Sequence, residues 1–246
     1  MTVVRLVTFN VHHGVGVDGR HDLARLTRLL AATDADLICL QEVDRHFGAR
    51  SEHVDQAAEL AGALDRELAF APSLEAGDGG QYGNALLSRL PVLDTAVHRL
   101  PGSGEPRTAL RALVRVPDGA LTVLTTHLAN RSRPERAAQA AVLAGLAGAD
   151  GVVVGDLNAD ARAPELAALR ARLTDAWALA ADRGDQSRRL SLHRGQGCTH
   201  PVRRPRVRID QVWVPAGVTV TAARVLDGSA VSDHHPLQVD LDLGPR

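Results

Sequence analysis

A chain of 246 residues with 45% hydrophobic content and a formal net charge of −1 carries enough apolar material for one sizeable core, and it is read as a single domain over 1–246. No stretch approaches the run of about 18 apolar residues that spans a bilayer, and Met1-Thr2-Val3-Val4-Arg5 enters a strand without a signal-like segment, so a cytoplasmic protein without a membrane helix is expected. All 28 basic residues are arginine and aromatics make up only 2%, which leaves few platforms for stacking single-stranded bases.

In chain order, the first strand-like run, 3–11, ends at Thr8-Phe9-Asn10-Val11-His12-His13-Gly14. Asp22 then caps a helix with Leu23, Leu26, Leu29 and Leu30 on one face. The run 36–43 holds Cys39 and closes on Gln41-Glu42-Val43-Asp44, after which Ser51 is placed to cap a second helix with Val54, Ala58 and Ala61 inward. Runs at 83–88, 109–116 and 120–128 follow as successive strands, the last two joined by Pro117-Asp118-Gly119 and the last ending in Thr125-Thr126-His127-Leu128. Ser132-Arg133-Pro134-Glu135 reads as a capping box with proline in the first turn of an Ala-rich helix through 147.

The run 151–154 delivers Gly155-Asp156-Leu157-Asn158. Strand alternation lets Asp156 and Asn158 point one way while Leu157 packs inward, and Gly155 allows backbone or ligand to come close. Read in isolation, the pair slightly favours two turn formers. A long loop over 183–208 sets Arg183, Arg188, Arg189, Arg194, Arg203, Arg204, Arg206 and Arg208 against Asp185 alone. It is either a solvated surface loop or an anion-attracting rim. Cys198 lies in that loop, and with Cys39 it forms neither a metal-ligand cluster nor a disulfide framework.

Strands at 209–214, 218–226 and 236–242 complete the chain, with Arg208-Ile209-Asp210-Gln211 opening the first and Ser232-Asp233-His234-His235-Pro236 preceding the last. Early strands alternate with helices and later ones follow each other directly, so the class is α/β (α+β), with two mixed sheets and helices outside.

Each apolar run thus finishes in a residue able to bind metal or move a proton. Singly, each is better explained as a turn former or a satisfied hydrogen-bonding group. Together, Asn10, Glu42, Asp156 and Asn158 supply the oxygen ligands a hard cation takes. The imidazoles suit acid and base work, and Asp210 could fix the tautomer of His234.

The seven stretches Thr8-Phe9-Asn10, Gln41-Glu42-Val43-Asp44, Tyr82-Gly83-Asn84-Ala85-Leu86-Leu87-Ser88-Arg89, Thr126-His127-Leu128, Gly155-Asp156-Leu157-Asn158, Arg208-Ile209-Asp210 and Ser232-Asp233-His234, in this order, resemble the endonuclease/exonuclease/phosphatase superfamily of metal-dependent phosphoesterases. The resemblance implies a four-layer αββα sandwich and a Mg2+ or Mn2+ cofactor. It also implies that Glu42 is the principal metal carboxylate with Asn10 beside it, and Asp233 a further metal ligand. Asp156 would orient or deprotonate the attacking water, and Asn158 would hold a phosphate oxygen or a metal-bound water. His234, oriented by Asp210, would stabilise or protonate the developing charge, with His127 as the second histidine.

The His12-His13-Gly14 continuation departs from the better-known nucleases and makes His12 a candidate for lining the site. Arg208 and the other loop arginines could grip a second phosphate or an anionic head group. Arg107 is a similar candidate, set against the reading of a surface salt bridge. The expected function is hydrolysis of a small phosphorylated substrate by a monomer. A nuclease is the second reading, opposed by the net charge of −1 and kept open by the Arg-rich loop. A catalytically silent binding protein is the third, opposed by the presence of Glu42, Asp156 and His234.

Overall fold

The computed structural model describes residues 3–77, 79–185 and 197–244. Arg188, Arg189 and Arg194 lie outside the described residues. In chain order the elements are β1 (Val3–Asn10), α1 (Leu23–Ala32), β2 (Leu37–Arg45), α2 (Gln56–Leu64), β3 (Glu67–Glu75), β4 (Gln81–Ser88), β5 (Val92–Leu100), β6 (Arg107–Val116) and β7 (Gly119–His127). There follow α3 (Arg133–Ala147), β8 (Val152–Asp156), α4 (Ala167–Arg170), β9 (Thr174–Asp175), α5 (Ala176–Leu179), β10 (Asp182–Asp185), β11 (Asp210–Val214), β12 (Thr219–Val225) and β13 (Leu237–Asp242).

The strands form a seven-stranded sheet in the order β10-β12-β13-β1-β2-β4-β3 and a six-stranded sheet in the order β5-β6-β7-β8-β11-β9. Both mix parallel and antiparallel pairs, β1 with β2 and β7 with β8 being parallel. Alternation decides which side chains go where. Leu6, Cys39 and Leu86 of the first sheet meet Ala112, Val123, Val154 and Val212 of the second in one buried cluster. Val7, Phe9, Ile38 and Leu40 face the other way, onto Leu26 and Leu30 of α1 and Leu60 of α2. On the far side of the second sheet, Leu124, Val153 and Trp213 pack on Leu143 of α3 and Leu169 of α4. The result is the expected four-layer αββα sandwich. Among the described residues no helix is long and apolar enough to cross a membrane.

Asp22 caps α1 by accepting from the Arg25 amide at 2.9 Å, and Leu26 and Leu30 are its buried face. The cap of α2 is Asp55 rather than Ser51, and its buried residues are Gln56, Ala57, Leu60 and Ala61, with Ala58 exposed. The reason is competition for the hydroxyl: Ser51 lies in a 3-10 turn and donates to Asp44 Oδ2 at 2.8 Å. Ser132 does cap α3. The capping box is only half made, because Glu135 instead accepts from the Ser103 and Gly104 amides at 2.9 and 3.2 Å. Two long strands, β3 and β5, fall where no strand was expected, and the proposed loop over 183–208 begins inside β10.

Gly155 has a specific reason to be glycine. Its φ is +145°, and a Cβ there would overlap the carbonyl oxygen of Thr126 on β7. The close approach is therefore strand to strand, not strand to ligand. Gly155→Ala is expected to lower stability by at least about 3 kcal/mol, adding backbone strain to overpacking, read as a fall in the urea midpoint. An unchanged midpoint would show that β7 and β8 part easily.

Candidate active site

Register brings three polar side chains into one row. His127 on β7 pairs with Asp156 on β8, and Asp156 pairs with Asp210 on β11. Neighbours in register share a face, so all three side chains come together at one end of the six-stranded sheet. The other sheet contributes from across the sandwich. Asn10, the last residue of β1, donates through Nδ2 to Asp156 Oδ2 at 3.1 Å and to Glu42 Oε1 at 2.9 Å.

Glu42 reaches this point because β2 is bulged. The pairing of β2 with β4 shifts between Leu40 and Val43, and Glu42 has a left-handed φ of 59°. In a regular strand Gln41 and Glu42 would face opposite sides; the extra residue of a bulge re-aims the side chain. Gln41 keeps to the interior, donating to Thr125 Oγ1 at 3.3 Å.

His234 arrives from the segment before β13. Ser232 holds that segment, donating to the Asn10 carbonyl at 2.7 Å and accepting from the His234 amide at 3.1 Å. The His234 ring places Nδ1 2.9 Å from Asp210 Oδ2 and Nε2 3.8 Å from Asp156 Oδ2. Burial alone would lower its pKa, but Asp210, Asp156 and Asp233 outweigh that and lift it to about 10. Asp156, 1% exposed, moves the same way for a different reason: burial disfavours its charge, Asp210 adds repulsion, and together these outweigh the pull of His234.

His127 goes the other way. Burial first, then Arg107 and His234, hold its pKa well below the ordinary imidazole value. Asn158, in left-handed backbone with φ 51°, directs one amide hydrogen to His127 Nε2 at 2.9 Å and the other to the Leu128 carbonyl at 3.0 Å. Both hydrogens are thus committed, so Asn158 has no donor left for a phosphate oxygen, contrary to one of the two roles expected of it; its Oδ1 remains as an acceptor for a cation or a water.

The donor set fits a divalent ion. Carboxylate oxygens of Glu42 and Asp156 both accept from Asn10 Nδ2, while Asn10 Oδ1 accepts from the His12 amide, so Asn10 would ligate only with its amide turned. Among the described residues Asp210 Oδ1 is buried without a hydrogen-bond partner, and the Asp156 and Asp210 carboxylates lie in one group around His234, which Asp210 engages through Nδ1. Concentrated buried anionic oxygen of this kind is compensated by a hard cation.

The remaining expected residues divide. Asp233 has a 42% exposed side chain 4.0 Å from His200 Nε2, and it groups with His200 and His234. His12 is half-buried, gives its ring Nδ1 to the Val15 carbonyl region at 3.0 Å, and donates its amide to Asn10 Oδ1 at 3.0 Å. Arg107 is not a surface pair: its side chain is 3% exposed although it meets Glu105 at 3.1 Å, and its Nε has no partner. Arg208 is corrected as a free anion grip. Its guanidinium is buried, bonded to both oxygens of Asp175 and placed over the Trp177 ring.

Two residues escaped the sequence reading. His13 places Nδ1 4.0 Å from Glu42 Oε2, and the His200 ring lies 4.5 Å from that of His234. The doublet His12-His13 was visible, but which ring faces Glu42 depends on left-handed backbone that composition does not reveal. For His200, nothing in the loop sequence signals contact with His234.

The chain matches the model of the endonuclease/exonuclease/phosphatase family over residues 7–234. Among solved structures, an endonuclease/exonuclease/phosphatase from Beutenbergia cavernae is 25% identical with a TM-score of 0.81, covering 99% of this chain and 72% of that one. A mannosyl-6-phosphatase from Bacteroides thetaiotaomicron is 16% identical with a TM-score of 0.77, covering 97% and 99%. The human Nocturnin catalytic domain with bound sulfate is 23% identical with a TM-score of 0.69, covering 98% and 94%. No curated protein matches the chain.

Proposed function

Because the chain belongs to the endonuclease/exonuclease/phosphatase family, we propose that it is a divalent-metal-dependent hydrolase of phosphate esters, acting on a small phosphomonoester or phosphodiester such as a nucleotide, a sugar phosphate or a lipid head group. The observation that carries this reading is the buried Asp210–His234 pair set against Asp156, with Asn10 linking Asp156 to Glu42.

Glu42 would hold Mg2+ or Mn2+ together with Asn10, its amide turned to present Oδ1, and with Asn158 Oδ1 and Asp156 within the same group. An ion bound there would supply charge stabilisation at the nonbridging phosphate oxygens. Asp156, its pKa raised by burial, accepts the proton of the attacking water; a carboxylate with a raised pKa is a better base than one at the surface. His234 is kept protonated by Asp210 and presents Nε2 toward the phosphate, where an imidazolium stabilises or protonates the charge that develops in line. His127, neutral and fixed by Asn158, offers Nδ1, which is buried and without a partner, as a hydrogen-bond donor. Arg107 is near enough to His127 to act on it electrostatically.

A small substrate is favoured over duplex DNA by the net charge of −1, since duplex binding draws on an extended basic face. The test is a screen of chelator-stripped protein resupplied with Mg2+ or Mn2+ on mononucleotides, sugar phosphates, lysophospholipids, phosphoinositides, plasmid and abasic DNA. Metal-dependent hydrolysis of at least one small phosphoester, abolished by EDTA and restored by the ion, is expected. Efficient DNA cleavage with every small phosphoester intact would replace this reading with a nuclease.

A further inference from the structure

We propose that His13 is a nitrogen ligand of the ion held by Glu42 and Asn10, so that the centre prefers a first-row transition ion such as Mn2+, Fe2+ or Co2+ over Mg2+. The inference rests on the reading above that Glu42 holds an ion. Three non-glycine residues around this point adopt left-handed backbone: His12, His13 and Glu42, with φ of 47°, 44° and 59°. Backbone of that kind persists where the surroundings over-determine it, and it clusters at ligand clamps.

Here the surroundings can be named. Gln56 Nε2 donates to the His13 carbonyl at 2.7 Å, while Gln56 Oε1 accepts from the Asp44 amide, two residues after Glu42, at 2.9 Å. The Asp22 amide donates to the Gly14 carbonyl at 3.0 Å. The turn that carries His13 and the strand that carries Glu42 are thereby locked to one another through a single side chain. The lock fixes an unusual pair of atoms. Among the described residues His13 Nδ1 is buried and has no hydrogen-bond partner, yet it stands 4.0 Å from Glu42 Oε2.

That separation is too long for a hydrogen bond. Two donors on one ion, each bound at roughly 2.0–2.2 Å, stand about 3–4.2 Å apart, so it suits an ion between them. Ligand type then sets the preference. Mg2+ takes oxygen almost exclusively, whereas adding an imidazole to carboxylate and carboxamide oxygens favours the borderline transition ions. The neighbouring ring of His12, 4.3 Å away by centroids, packs against His13 and keeps it from swinging out.

The test loads the whole stripped chain with Mn2+ and looks for 14N coupling to the metal by pulsed EPR, alongside calorimetric titrations with Mn2+ and Mg2+. His13→Asn retains a residue that tolerates left-handed backbone, and His13→Ala is the second variant; thermal unfolding reports whether each folds. The expected result is nitrogen coupling in the wild type that both variants lose, with Mn2+ affinity falling about tenfold or more and Mg2+ affinity much less affected. Nitrogen coupling and Mn2+ affinity that persist in folded His13 variants, while Glu42→Gln abolishes Mn2+ binding, overturn the imidazole ligand and leave the Glu42 reading standing. Mn2+ binding unchanged in Glu42→Gln overturns both.

Discussion

Asp156→Asn is expected to lower kcat by about 10²–10⁴-fold with little change in KM. The substitution is nearly isosteric but removes the proton acceptor. Asp156 accepts from the Asn10 amide through Oδ2 and from the Asn158 backbone through Oδ1, so an amide nitrogen at either position faces a donor. That mismatch costs about 1–3 kcal/mol and is partly offset, because the buried negative charge that Asp210 repels is also gone. Folding should therefore survive where activity does not. A group that acts only in the transition state lowers kcat and kcat/KM together, and steady-state kinetics with a thermal melt separate the two effects. Near wild-type kcat in a folded Asp156→Asn protein would remove Asp156 from the chemistry.

Asp210→Asn is expected to move the alkaline limb of the pH–rate profile far to the acid side. The imidazolium of His234 is held up to about 10, against burial, by Asp210 first and by Asp156 and Asp233 after it. A raised pKa means that the protonated form, and the stability the pair contributes, is fully present below the ordinary imidazole value of about 6.5 and is lost as pH rises through the folded value. Without Asp210, burial dominates and His234 loses its proton at a lower pH. The variant should therefore lose about 10²-fold or more near pH 8 and recover part of that loss as the pH falls toward 6. Asp210→Asn also frees the ring to rotate, so some loss at every pH is expected. A profile with an unmoved alkaline limb would show that the limb does not report the His234 proton.

Much of this was legible in the sequence because polar residues at strand ends break an otherwise apolar run. Asn10, Glu42, His127, Asp156 and Asp210 are conspicuous for that reason; the sheet register aligns three of them, and Asn10 links these to Glu42. What was not legible depends on long-range pairing. β5 is largely exposed, and its apolar residues Val92, Leu93, Ala96, Val97 and Leu100 do not alternate, so it lacks the period of a strand; its pairing with β6 makes it one. β3 contains Pro72, and its pairing with β4 shifts between Pro72 and Leu74. Ser51 looked like a cap because its competing acceptor, Asp44, comes from another element. Arg208 looked available because its partner Asp175 lies on β9, 33 residues back in the chain. The αL backbone of Glu42 has no signature in its residue type, and that of His13 only the enrichment of histidine in this region.

The measurement that bears most directly on the central claim compares the wild type with a Glu42→Gln, His234→Ala double variant on one panel of phosphoesters, each protein stripped of metal and resupplied with Mg2+ or Mn2+. Hydrolysis of at least one phosphoester by the wild type, strictly dependent on the added ion and lower by about 10³-fold or more in the folded double variant, is the predicted result. Equal inactivity of both proteins across the panel, or equal activity, would contradict it.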